Sequence, residues 1–262
     1  MKLGDYRSNC GRGLIGMVHC LPLPGTFRSE TEIHQVIERA VSDARALEQA
    51  GFDALIVENE DLCTAFQLTR IQETAFSIVV MAVRDAVRIP VGISCGSLNY
   101  EFAFSLSRVA GLQFIRQAIF VDTVMNYNGI FTPCSQKVVL ARKTVGAEQV
   151  DIFADIQVKQ YYMVNPNIPI TTSAGWAARQ GADAIIVTGA GSGMQTSMED
   201  LKRVRACVTV PVVVGSGICE ANIREQLTTA DLLIVGSTLR KDGKFTNPID
   251  PEAAERIVRA AG

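Results

Sequence analysis

Hydrophobic and polar positions along this chain follow two periods. Eight short apolar runs recur at 14–20 (LIGMVHC), 54–59 (ALIVEN), 91–96 (VGISCG), 114–119 (FIRQAI), 151–158 (DIFADIQV), 184–189 (AIIVTG), 212–217 (VVVGSG) and 232–237 (LLIVGS). Continuous β-branched runs of this length fit parallel strands buried on both faces. Between them, at 33–51, 72–87, 199–208, 221–229 and 250–262, apolar residues fall three and four apart, which predicts amphipathic helices. The first of these closes on Gly51, a residue suited to a left-handed C-terminal turn. The last opens on Asp250 and Pro251, an N-cap followed by a first-turn proline.

Four strands are introduced alike, by AGFDALIVEN, AGLQFIRQAI, QGADAIIVTG and TTADLLIVGS. A helix ends, one turn follows, and an apolar strand begins. Eight such βα units in 262 residues predict fold class α/β, one (βα)₈ TIM barrel domain over 1–262, because such barrels run to ~250 residues. A doubly wound open sheet is the competing arrangement. Strand number and length favour the barrel, and no G-x-G-x-x-G follows the first strand. The longest irregular stretches, 21–30, 60–70, 120–134, 160–170 and 189–198, all follow strands. In a barrel they lie on the C-terminal face, where active sites form.

The seventh and eighth runs both exit through Gly-Ser. Loops after those strands often build a phosphate site, in which glycine lets backbone amides approach an anion. Gly215, Ser216, Gly217, Gly236 and Ser237 are the expected phosphate-binding residues, with Gly189 and the Thr188 hydroxyl beside them in VTGAGSG. The alternative is that the glycines only permit tight turns. On the phosphate reading, a bulkier residue at Gly217 weakens ligand binding more than folding. Arg240, Lys241 and Lys244 follow closely, either as phosphate partners or as a solvated loop.

The fifth run carries charge inside a strand. Alternation places Ile152, Ala154, Ile156 and Val158 toward the helices and Phe153, Asp155, Gln157 and Lys159 into the barrel. A buried carboxylate and amine are costly unless paired or used. The second run likewise delivers Glu58, then Asn59, to the rim. Glu58 and Asp155 are read as proton-exchanging carboxylates, with Lys159 stabilising negative charge. A structural Asp–Lys pair and a Schiff-base lysine are the alternatives for the fifth strand. His19 ends the first strand, as a substrate ligand or a hydrogen-bonded structural histidine. Arg116, on the fourth, binds an acidic group of the substrate or neutralises Glu58 or Asp155. Cys95 reads as core rather than nucleophile.

Composition narrows the partners. The chain is 48% hydrophobic and 20% charged with net charge −2 and no basic stripe, which argues against nucleic acid. Seven cysteines without a C-x-x-C pair indicate reduced thiols in a cytoplasmic protein rather than a disulfide framework. No run reaches the ~18 apolar residues of a membrane helix, so no direct membrane insertion is expected. No spacing calls for a metal or other cofactor, although Glu58 and Asp155 could share a Mg²⁺. A homo-oligomer is an open expectation.

The segments GMVHCLPLPG (16–25), GFDALIVENEDLCTAF (51–66), FIRQAIF (114–120), FADIQVKQ (153–160), GADAIIVTGAGSG (181–193), PVVVGSGICEANI (211–223) and ADLLIVGSTLRKDGKFTNPID (230–250) together resemble the BtpA/SgcQ family in order. The resemblance covers nearly the whole chain and implies a phosphate-binding TIM barrel. One branch of that family is named for photosystem I biogenesis and another lies with sugar-metabolism genes. Relatives tend to carry histidine in the fifth-strand motif, where this chain has Gln157 and Gln160. The third strand, VGISCGSLN, also departs from the usual Asn-containing pattern, and GMQTS stands where proline is common. The departures fall around the proposed reaction centre, which suggests a divergent substrate or chemistry on a retained phosphate grip. The expectation is acid/base isomerase or lyase chemistry on a small phosphorylated metabolite, a sugar- or nucleotide-derived phosphate, with substrate contacts from His19, Asn59, Arg116, Gln157 and Thr188. The competing expectation is a non-catalytic assembly or regulatory factor that binds such a ligand.

Overall fold

The computed structural model describes residues 13–26, 28–59, 67–96, 98–189, 194–215 and 217–262. In chain order the strands are β1 Leu14–His19, β2 Ala54–Glu58, β3 Val91–Ser94, β4 Phe114–Gln117, β5 Val124–Asn126, β6 Gly129–Phe131, β7 Asp151–Ile156, β8 Tyr162–Met163, β9 Ala184–Val187, β10 Val212–Val214 and β11 Leu232–Val235. Eight of them close a parallel barrel in the order β1-β2-β3-β4-β7-β9-β10-β11, with β11 returning to β1. The helices are α1 Ile33–Ala50, α2 Arg70–Ala86, α3 Tyr100–Ala110, α4 Ser135–Thr144, α5 Ile170–Arg179, α6 Met198–Cys207, α7 Ile223–Leu227 and α8 Pro251–Ala261.

The eight apolar runs become the eight barrel strands, each shorter than its run because the last residues turn outward as the exit. Gly51 ends α1 at φ 99°, and the Asp250 carboxylate caps α8 by accepting from Glu252 N. The remaining strands were not foreseen. β5, β6 and β8 form a small antiparallel sheet in the segments expected to be irregular. Its inner face packs Val124 with Ile119 and Val158. Val158 therefore serves this sheet and not the helix layer.

The four alike strand entries have a shared physical role. Asp53 Oδ2 accepts from Leu14 N at 2.8 Å and Gln113 Oε1 from Val91 N at 2.9 Å. Asp183 Oδ2 accepts from Ile152 N at 2.9 Å and Asp231 Oδ2 from Val212 N at 2.8 Å. Each polar residue before an even-numbered barrel position ties down an amide at the start of the strand before it, the first residue of β1, β3 and β10 and the second of β7. Arg142 and Arg205 brace the last two at 2.6 and 2.8 Å. The sequence repeat is thus a register device at the barrel's closed end, satisfying amides that begin a strand without a ladder partner.

Two cores result. One lies between barrel and helices. The other fills the barrel with Ile15, Met17, Ala54, Ile56, Phe114, Phe153, Ala184, Ile186, Val213, Leu232 and Ile234. Phe114 and Phe153 stack with ring centroids 4.6 Å apart. Gly92 makes this possible, since a Cβ there would stand 2.4 Å from the Phe114 ring. Among the described residues no helix is long and apolar enough to cross a membrane.

Candidate active site

The inward positions of the barrel change character one layer above the Phe114–Phe153 floor. Register sets His19 beside Glu58 and Glu58 beside Ser94, across β1, β2 and β3. Arg116 follows on β4 and Asp155 on β7. The strand period alone turns these five polar side chains toward one space, since each lies two residues beyond an apolar inward residue.

Their contacts form a chain. His19 Nε2 lies 3.5 Å from Glu58 Oε2. Arg116 Nη1 lies 3.9 Å from Glu58 Oε1. Arg116 then grips Asp155 through two bonds, Nε to Oδ2 at 2.9 Å and Nη2 to Oδ1 at 3.0 Å. The Asp155 side chain is 0% exposed, whereas that of Glu58 is 14% exposed. Glu58 is therefore the carboxylate a ligand can reach, and Asp155 anchors the guanidinium beneath it.

The electrostatics follow from burial and these partners. Burial lowers the His19 imidazole below its ordinary value of 6.5, against the pull of Glu58. Burial would raise Glu58, but the His19 hydrogen bond, the Arg116 charge and Ser94 outweigh it and hold the carboxyl below its ordinary range. Asp155 is raised from 3.8 by burial, against Arg116 and Lys159. The result at neutral pH is a neutral imidazole on an ionised Glu58.

Lys159 stands beyond the end of β7, half-buried, with its amide donating to Thr188 Oγ1 at 3.1 Å. Its charge is felt at both His19 and Asp155. Asp155, buried, lies deeper than the half-buried Lys159. The Thr188 hydroxyl is occupied in holding the strand exit.

Gln157 is a correction. It does not point into the barrel. The strand ends at Ile156, and Gln157 adopts φ 45°. Its side chain donates to Ile168 O at 2.9 Å, away from the mouth. The cause is Asp122, whose Oδ2 takes the Gln157 amide at 2.7 Å and whose Oδ1 takes the Ser173 hydroxyl at 2.6 Å. Asp122 was missed in the sequence, although an Asp closing the apolar stretch 118–121 beyond β4 was a signal. Ser94 was legible by alternation from Gly92. Phe245, whose ring lies 4.4 Å from that of His19, was visible only as a lone apolar residue in a polar loop.

The glycine exits serve the chain as well as any ligand. A Cβ on Gly189 would stand 2.3 Å from Met194 O, and one on Gly217, at φ 68°, would stand 2.4 Å from the same carbonyl. A larger residue at Gly217 therefore strains the fold itself, which weighs against the expectation that binding weakens more than folding. Gly215 faces Ile186, and Gly236 leaves room for His19, whose Cε1 would be 3.2 Å from a Cβ there. Gly236 leads into a single 3₁₀ turn, Ser237–Leu239. Ser216 lies outside the described residues. Arg240 does not sit in a solvated loop: it is buried, with Nη1 donating to Asp43 Oδ2 at 2.9 Å and to Asn247 O, while its Nε and Nη2 have no partner among the described residues. Asp43 also accepts from Ile249 N at 3.0 Å, so this pair fastens the last loop onto α1. Asn59 is buried, and neither atom of its carboxamide has a partner among the described residues. No cluster of three or more His, Cys, Asp or Glu suited to a metal ion occurs among the described residues.

A polar mouth on an (βα)₈ barrel is common to many proteins, and the whole sequence decides which kind this is. The BtpA family model matches residues 11–262. The chain belongs to the BtpA family. A protein of Pyrococcus furiosus is 35% identical over 250 residues, covering 94% of this chain and 93% of its own. Photosystem I biogenesis protein BtpA of Synechocystis is 31% identical, covering 94% and 87%. The solved structure of (S)-3-O-geranylgeranylglyceryl phosphate synthase from Thermoplasma acidophilum superposes with a TM-score of 0.66 at 15% identity, covering 99% and 98%. At that identity the likeness is one of fold. Within this BtpA-family barrel, the segments that carry the family resemblance supply His19, Glu58, Arg116 and Asp155 together.

Proposed function

We propose that this BtpA-family barrel binds a small phosphorylated metabolite at its C-terminal mouth and moves a proton on it, in isomerase or lyase chemistry. The observation that carries this reading is the buried His19–Glu58–Arg116–Asp155 chain at the top of an apolar interior. Buried charges of this kind are costly as structure and cluster where chemistry needs shifted proton affinities. The phosphate is assigned to the amides of Gly217, Gly236 and Ser237, where β10 and β11 exit, since the Gly215 amide already donates to Val187 O at 3.0 Å. The phosphorylated ligands of barrels with the same fold, such as the synthase from Thermoplasma acidophilum crystallised with sn-glycerol-1-phosphate, support that assignment.

In this reading Glu58 and His19 act as one acid/base unit. Glu58 orients the imidazole and shares its proton, which leaves Nδ1, buried and unpartnered among the described residues, as a lone pair for the substrate. Arg116, fixed by Asp155, keeps Glu58 ionised. Lys159 neutralises negative charge as it develops. Asp155 is thus a positioning residue and not the second proton carrier.

The test has two readouts. Thermal stabilisation by a panel of phosphorylated metabolites identifies the ligand, and deuterium uptake from solvent into that ligand reports proton transfer. Glu58→Gln and His19→Asn should abolish exchange yet keep the stabilisation. Binding without exchange in the wild-type protein overturns the enzyme reading. It would favour a ligand-sensing assembly factor, the role in the name of the Synechocystis relative. One observation supports that second reading: Met125, Ile130 and Tyr162 line the exposed outer face of the β5–β6–β8 sheet, and no charged residue occurs in 123–136.

A further inference from the structure

A groove of about 640 Å³ runs between α4 and α5, on the outside of the barrel and apart from the mouth. Its walls carry Lys137 and Gln136 from α4, and Trp176, Arg179 and Gln180 from and just after α5. The volume falls within the ~300–1,000 Å³ typical of small-molecule sites. No carboxylate lines it, and neither cation has an ion-pair partner among the described residues. Trp176, the only tryptophan in the chain, is 38% exposed here.

Each feature is costly or unused in the free protein. A large indole face in water forgoes burial. Two cations beside one concavity, with no opposite charge in it, raise a positive potential there. A neutral ring would satisfy the indole and leave the cations unmatched. A simple anion would do the reverse. A ligand that joins a planar ring to an anionic group satisfies both, by stacking on Trp176 and pairing with Lys137 and Arg179. The carboxamides of Gln136 and Gln180 can then donate to and accept from polar ring edges.

We propose that this groove is a second binding site, for a small ligand of the mononucleotide kind in which a planar heterocycle carries a phosphate. It is independent of the chemistry at the mouth. The sole tryptophan makes it separately observable, because Trp176 emission reports this groove and no other place. The probe is adenosine 5′-monophosphate, titrated by calorimetry and by Trp176 emission, with adenosine and inorganic phosphate as the ring-only and anion-only controls. The expected result is a saturable response to the nucleotide, with each control weaker by at least about tenfold, or ~1.4 kcal/mol. Lys137→Ala/Arg179→Ala should weaken the nucleotide by a similar factor. Both side chains are exposed, so the double variant keeps its melting temperature. Lys159→Met, at the mouth, should leave the Trp176 response unchanged. The proposal is overturned if wild-type protein gives no saturable Trp176 response to the nucleotide. It is equally overturned if the double variant responds as the wild type does, or if Lys159→Met removes the response and so places the ligand at the mouth.

Discussion

Arg116 is the residue on which the mouth depends. It binds a carboxylate that has no access to water, and it holds a second one ionised. Replacing it with methionine keeps much of the volume but leaves Asp155 buried and unpaired. The expected loss is about 3–5 kcal/mol, measured by denaturant unfolding. Replacing Asp155 by leucine as well should restore most of that stability without restoring proton exchange. A double variant as unstable as Arg116→Met alone would show that the pair is not energetically closed. His19 gives a pH signature. Its folded-state value lies below the ordinary 6.5, so the unfolded chain takes up the proton first. Stability should therefore fall as pH drops through 6.5 toward the folded value, by the linkage between proton uptake and unfolding. His19→Gln should flatten that fall below 6.5.

At the level of elements, the informative feature is the ring of polar residues that precede strands. Asp53, Gln113, Asp183 and Asp231 each take an opening amide of the neighbouring strand, at its first or second residue, so four strand pairs are fixed in register from below. This end is remote from the mouth, and stability and function separate there. Asp231→Ala leaves the Val212 amide without its side-chain acceptor and removes the carboxylate partner of Arg205, which keeps Val208 O and Val210 O. It should cost about 1–3 kcal/mol in unfolding free energy. Affinity for the phosphorylated ligand, read by calorimetry, should stay unchanged. A large affinity loss would mean that register errors propagate the length of β10 and into its Gly215 exit.

For the molecule as a whole, closure matters more than any one contact. The last strand, β11, pairs with the first, β1, so the barrel has no edge to fray. The small β5–β6–β8 sheet has edges and, among the described residues, packs on a small cluster of three buried residues, Ile119, Val124 and Val158, with Ala118, Phe131, Tyr161 and Met163 partly buried against them. Hydrogen exchange should divide along this line. Amides of β1, β2, β10 and β11 should exchange at the slow rate set by global unfolding, while those of β5, β6 and β8 exchange by local opening. Equal protection in both would mean that the small sheet is held by something other than its own packing.

Much of this protein is set by its sequence alone. The eight apolar runs specify eight buried parallel strands, because only strands covered on both faces tolerate such continuity. The repeated polar entries and the Gly51 and Asp250 signals set where strands and helices begin and end. Alternation then suffices to send Phe153 and Asp155 inward and to bring Glu58 and His19 to the rim. Tertiary structure decided what those residues do to one another. Asp155 was legible as buried, but its commitment to Arg116 depends on β4 and β7 being neighbours in the barrel. Gln157 was misplaced because Asp122, thirty-five residues away, bends the chain at its amide and breaks the alternation. Arg240 looked like a loop cation, yet its partner Asp43 lies on α1, 197 residues earlier. The Gly189 and Gly217 exits were legible as tight turns, but not as the floor on which residues 194–195 cross. In each case a local pattern fixed direction and burial, which are backbone properties. Pairing between distant strands and helices required the closed barrel, because distances across a fold are not encoded at any single position.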